Sequence, residues 1–151
     1  MALYYLETSA LVKLYVREPG TERMLDLASK AAGNQLVVLS LAQVEIRSAL
    51  RRRERAGEIK SAIADQLLTS FQRHAEGRFL TQVLTDALLD GASALVDRHA
   101  LRAYDAIQLA GFFSLRTTIG SNPPVFVCAD HELLRAAEAE AAPVLDPSLD
   151  A

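Results

Sequence analysis

The sequence predicts an α/β protein: a short, mainly parallel sheet covered by helices on both faces, in a three-layer α/β/α arrangement. Three observations predict it. Runs of strand length alternate with segments of helical periodicity along the whole chain. The clearest strands, "LYYL" at 3–6, "QLVVLS" at 35–40 and "PPVFVCA" at 123–129, are continuous apolar runs, as strands buried on both faces are. The 151 residues are half apolar and 23% charged, with no linker, repeat or low-complexity segment, which suits a single domain over 1–151.

Each element has its own signal. After the strand at 3–6, "SALVKLYVREPG" is expected to be helical until Pro19 and Gly20 end it. Residues 21–32 place Met24, Leu25 and Leu27 at helical spacing, and Gly33-Asn34 closes that segment. After the β-branched strand at 35–40, Ser40 and Gln43 form a capping-box pair that predicts a helix to about Ala56. Gly57 interrupts, and "EIKSAIADQLLTSFQRHA" is a further amphipathic helix. "RFLTQVL" at 78–84 reads as an edge strand, and Thr85 is a cap for a helix from Asp86 to about His99. A helix at 101–116 follows. Asp130 ends the strand at 123–129, "HELLRAAEAEAA" is the last helix, and "PVLDP" is a closing short strand.

The charges stand out against this pattern. In "AYDAIQLAGFF" only Asp105 and Gln108 are strongly polar, so the helix is expected to be buried on most sides. Asp105 shares its stripe with Leu101 and Leu109, while Arg102, 60° around the helix, is the nearest cation. An unpaired carboxylate in such a place costs several kcal/mol, as an order of magnitude. Glu45 repeats the oddity, with Leu41 and Ala49 on its stripe. Glu7 and Asp130 stand at strand ends, the edge where parallel sheets bind ligands. One cause would explain all four: a hard divalent cation, Mg²⁺ or Mn²⁺, which takes oxygen ligands and cancels their repulsion. No Cys/His cluster has zinc spacing. Taken singly, Asp130 also suits a helix cap, and Glu45 could pair with Arg47 or Arg51.

The net charge of -3 argues against a non-specific nucleic-acid binder, so nucleic-acid contact must rest on a local patch or on metal ions. "RSALRRRERAGEIK" is such a patch. Its Arg51, Arg52 and Arg53 suit phosphate contact, and equally suit a solvated helix end where cations meet the dipole. The single cysteine, Cys128, excludes an internal disulfide and fits a small core residue. With no signal peptide and no apolar run of spanning length, the cytoplasm is the expected location and no membrane contact is expected. Leu11, Leu14 and Leu25 are candidates for a dimer face.

Four stretches carry a resemblance. "YYLETSALVKLY" resembles the opening motif of the PIN-domain family, "SLAQVEIRSAL" its second, "LRAYDAIQLA" its third and "VFVCADHELLRAA" its fourth, all in family order. The nearest branch is the VapC-type toxins of toxin–antitoxin pairs. The resemblance implies a PIN-like fold and an endoribonuclease that hydrolyses RNA with Mg²⁺ or Mn²⁺. Glu7, Glu45, Asp105 and Asp130 would be its catalytic and metal-binding acids, with Ser9 supporting the first. It also implies a homodimer and an antitoxin partner.

The departure is Glu7, where the family pattern has aspartate. Glutamate carries the charge one methylene further out, and a misplacement of about 1 Å at a reacting centre costs on the order of a hundredfold in rate. A shifted ion, a preference for the larger Mn²⁺ and a weakened enzyme are the three outcomes. The last defines a rival reading, a quiet PIN domain that binds RNA or an antitoxin. A phosphatase of the haloacid-dehalogenase type needs aspartates where Glu7 and Ser9 stand, and no Gly-rich phosphate loop is present.

Overall fold

The computed structural model describes residues 2–118 and 123–149, so the outermost ends of the expected 1–151 domain lie outside the described residues. Its strands β1 (Leu3–Leu6), β2 (Gln35–Leu39), β3 (Leu80–Gln82), β4 (Val125–Val127) and β5 (Val144–Leu145) form one sheet in the order β3-β2-β1-β4-β5. Every pairing is parallel. β1 is central, with Tyr5 opposite Val37 on one side and Phe126 on the other.

Seven α-helices connect the strands among the described residues: α1 (Thr8–Leu11), α2 (Thr21–Ala28), α3 (Ala42–Arg55), α4 (Ser61–Gly77), α5 (Asp86–Arg98), α6 (Ala103–Thr118) and α7 (His131–Ala139). Because strand side chains alternate, the sheet divides the interior into two cores. Leu3, Tyr5, Val37, Leu39 and Phe126 face α5, α6 and α7. Leu6, Leu36, Val38 and Val127 face the layer built from α1 to α4. Both faces are covered, which is why the strands carry apolar runs without polar alternation.

The chain lays β2 and β3 on one side of β1, then returns to lay β4 and β5 on the other. The crevice at the carboxyl ends of β1 and β4 is therefore the switch point of the topology, where such sheets hold ligands.

Several boundaries differ from the sequence expectation, each for a local reason. The helix expected from Ser9 to Pro19 shrinks to α1 and a 3₁₀ turn over Val12–Leu14. The following loop turns back on it, with Thr21 Oγ1 donating to the Lys13 carbonyl at 3.0 Å and Lys13 bonding Glu18 at 2.9 Å. α2 stops at Ala28 because Ser29 starts a second 3₁₀ turn, its Oγ accepting from the Ala32 amide at 3.3 Å.

The capping box at Ser40 does not form. Leu41 occupies the cap position of α3 with no side-chain bond, and Ser40 Oγ accepts from the Leu84 amide at 3.2 Å. Thr85 does cap α5, accepting from the Leu88 amide at 3.2 Å. Gly20, at φ +96°, passes so close to the C-terminal segment that a Cβ there would lie 2.7 Å from the Pro147 carbonyl oxygen. Of the three leucines suggested for a dimer face, Leu11 is in the core and Leu14 is half-buried, so Leu25 is the exposed one.

Candidate active site

Four carboxylates from four separate elements line one open cleft of about 820 Å³ at the carboxyl edge of the sheet: Glu7, Glu45, Asp105 and Asp130. Glu7 caps α1, Glu45 lies in the first turn of α3, Asp105 in the first turn of α6, and Asp130 caps α7. All four thus sit at helix starts. At Glu45, Asp105 and Asp130, which start helices of nine residues or more, the positive end of the helix dipole offsets part of the repulsion, by about 0.3–1 kcal/mol each.

Glu7 is 4% exposed and leaves β1 beside β4, with its amide donating to the Val127 carbonyl at 3.0 Å. Its Oε2 accepts from the Ser9 amide at 2.9 Å and from the Ser9 hydroxyl. The Ser9 oxygen in turn accepts from the Ala129 amide at 2.9 Å, so Ser9 ties the end of β1 to the turn after β4. Burial pushes the Glu7 pKa up to about 7 against the pull of Ser9, and the Glu45 charge adds to the rise.

Glu45 Oε1 accepts from Gln108 Nε2 at 2.6 Å and from Thr8 Oγ1 at 3.0 Å. Neither Arg47 nor Arg51 pairs with it. Burial raises its pKa, the Gln108 and Thr8 bonds oppose that, and Asp105 adds to it. Asp105 is likewise raised by burial and by Asp130, with Arg102 pulling the other way. Arg102 spans the last two acids, with Nε 3.4 Å from Asp105 Oδ2 and a terminal nitrogen 3.9 Å from Asp130 Oδ2. Asp130 does serve as a cap, its Oδ1 accepting from the amides of Glu132 and Leu133 at 3.0 and 3.2 Å.

The arginine cluster divides. Arg52 and Arg53 line the cleft with the acids. Arg53 is held by Glu18 and, at 3.3 Å, by Glu58, whereas Arg52 is exposed and makes no ion pair among the described residues. Arg51 does not line the cleft. It bonds Glu54 at 2.9 Å and Asp65 at 2.8 Å, clamping α3 to α4. Adjacent helical positions point about 100° apart, which is why three neighbouring arginines have different partners.

Gln108, Thr8 and the double contact of Arg102 are the features that the sequence alone left unread. The polarity of Gln108 in an apolar helix was a signal. What it serves depends on partners 63 and 103 residues away.

The donor chemistry of the cleft suits a hard divalent ion: carboxylate oxygens, with neither thiolate nor imidazole among the lining residues. The acids line an open cleft and do not form a closed cage. Among the described residues, no three Asp, Glu, His or Cys side chains converge tightly enough to enclose an ion. Mg²⁺ favours such open sites, since it keeps several waters and binds through one or two carboxylates together with substrate phosphate.

Fold and cleft together define an α/β protein with a carboxylate cleft at the switch point of a parallel sheet. The model of the PIN domain matches residues 4–117, and the chain belongs to the PIN-domain family. PIN domains are generally nucleases and typically use divalent metal ions. The matched span contains Glu7, Glu45 and Asp105, and Asp130 lies beyond it.

Solved structures share the fold. VapBC2 from Rickettsia felis, bound to a DNA fragment from their promoter, is similar with a TM-score of 0.65 at 12% identity, over 95% of this chain and 97% of that one. PAE2754 from Pyrobaculum aerophilum is similar at 0.64 and 22%, over 95% and 83%. FitAcB from Neisseria gonorrhoeae is similar at 0.61 and 13%, over 97% and 98%. Among curated proteins, none matches the chain in sequence. No helix among the described residues is long and apolar enough to cross a membrane.

Proposed function

We propose that the chain is a metal-dependent endoribonuclease, the VapC-type toxin of a type II toxin–antitoxin pair, acting on RNA in the cytoplasm. The observation that carries this reading is the gathering of Glu7, Glu45, Asp105 and Asp130 in one cleft at the switch point. These four acids would hold Mg²⁺ or Mn²⁺, with Ser9 steadying Glu7. Such an ion, when bound, supplies a Lewis acid and an acidified water for phosphodiester hydrolysis.

The residues of the chain do the rest. The buried Glu7 and the half-buried Glu45 are positioned by bonds from Ser9, Thr8 and Gln108, so their charge is preorganised. Arg52, exposed at the cleft and without an ion-pair partner among the described residues, is suited to receive the RNA backbone. The toxin assignment is the branch that the sequence motifs resemble, and VapBC2 supports it by name. An antitoxin and a second copy of the chain are the protein partners this reading implies.

Cleavage of RNA in the presence of Mn²⁺ tests the proposal. Asp105→Asn is expected to lower the rate by on the order of a hundredfold with the fold intact. Cleavage that survives both a chelator and this substitution would sink it. The rival reading, a quiet PIN domain binding RNA or an antitoxin, is favoured by the longer reach of Glu7 and by the absence of three converging ligands among the described residues. RNA binding without cleavage at any Mn²⁺ concentration would decide for it.

A further inference from the structure

We infer that Tyr5 and Gln108 are positioning residues for Glu45, joined in a hydrogen-bond relay buried beneath the cleft; this deepens the nuclease reading and rests on it. Both side chains are fully buried. Tyr5 Oη donates to Gln108 Oε1 at 2.9 Å. The other end of the amide, Nε2, donates to Glu45 Oε1 at 2.6 Å and to Thr8 Oγ1 at 3.3 Å.

A glutamine amide has one accepting and one donating end. The Glu45 carboxylate only accepts, so it holds the donating end toward itself, and the accepting end is left facing the Tyr5 hydroxyl, which donates to it. Without that hydroxyl the buried amide oxygen loses its donor, and the amide is no longer anchored at the end away from Glu45. At neutral pH a tyrosine hydroxyl carries its proton and can serve as the donor.

The surroundings fix the relay in place. The Tyr5 ring stacks on Phe126 at 5.8 Å and meets Phe112 edge-on at 6.0 Å. Gly111 leaves the room it needs: a Cβ there would lie 2.5 Å from Tyr5 Oη. Asp105, Gln108 and Gly111 recur every three residues along α6. One stripe of one helix thus contributes an acid, orients a second acid from another helix, and makes space for the hydroxyl behind it.

A merely structural role, in which Gln108 only satisfies buried polar atoms, predicts lost stability and nothing more. The two are separated by measuring Mn²⁺ affinity, from the electron paramagnetic resonance of the free ion, for the parent, Tyr5→Phe, Gln108→Met and the double variant. Thermal melts in chelator check that each is folded. The relay predicts that each single change weakens Mn²⁺ by about tenfold. The double variant should bind no more weakly than Gln108→Met, because Tyr5 acts only through the amide. For RNA, kcat should fall with KM unchanged. A folded Tyr5→Phe protein with parental Mn²⁺ affinity overturns the inference, as do losses that multiply in the double variant.

If the parent binds no Mn²⁺, or Glu45→Gln leaves its affinity unchanged, it is the nuclease reading that fails. The relay is then judged on the metal-free protein from the Gln108 side-chain amide signals in ¹H–¹⁵N spectra. Two resolved, slowly exchanging protons that shift in both Tyr5→Phe and Glu45→Gln support it. Signals indifferent to either change overturn it.

Discussion

Glu7 shows how far a single residue constrains the cleft. Its carboxyl ionises near 4.5 in an unfolded chain and is pushed up to about 7 by burial in the folded one. Between those values the folded protein holds a proton that the unfolded chain has released. The contribution of this group to stability is therefore fully present below about pH 4.5, is lost as the pH rises to about 7, and is gone above it. The loss attributable to this group is about 3 kcal/mol. Urea unfolding in chelator across this range should show the decline, and Glu7→Gln should remove most of it. An unchanged slope in that variant would assign the effect elsewhere. The charges of Glu7, Glu45 and Asp105 were legible in the sequence because each breaks an apolar run. The service of Gln108 was not, because its partner Tyr5 lies 103 residues away.

Among the elements, helix starts decide both what was predictable and what was missed. Thr85 caps the helix that begins one residue later, so a local reading suffices. Ser40 and Gln43 fit the same local rule and fail it, since the Leu84 amide, 44 residues away, takes the serine oxygen. Ser40→Ala should therefore cost about 1 kcal/mol and loosen the link between β3 and α5, leaving α3 unaltered. Hydrogen exchange can read this: the Leu84 amide should lose protection. Faster exchange confined to residues 43–45 would instead restore the capping box. The alternation of strands and helices was readable throughout because both faces of the sheet are buried. Strand ends were less so, and Pro123 and Pro124 precede β4 without joining it.

For the whole molecule, the distribution of charge matters more than its sum. A chain of net charge -3 has no general attraction for RNA. Binding must draw on the few cations facing the cleft, so its dependence on salt should be shallow. For a single-stranded RNA the log–log salt slope should shrink by about 0.7 in Arg52→Ala. Arg51→Ala should leave the slope unchanged while lowering stability, because it severs the clamp between α3 and α4. Equal slopes in all three proteins would place the RNA on another surface. The sequence presents these arginines as one block, and only their folded partners tell them apart, Asp65 on α4 for Arg51 and the acids Glu18 and Glu58 for Arg53.

Asp130 occupies the boundary between architecture and chemistry. One oxygen starts α7 and the other looks toward Arg102 across the cleft. Cutting the side chain back to alanine takes both away together, so any lost cleavage would be entangled with a frayed helix. Asparagine leaves an oxygen for the two waiting amides and removes the charge alone. Used as a pair, the two replacements separate a scaffold defect from a chemical one, at a position where either by itself would conflate them.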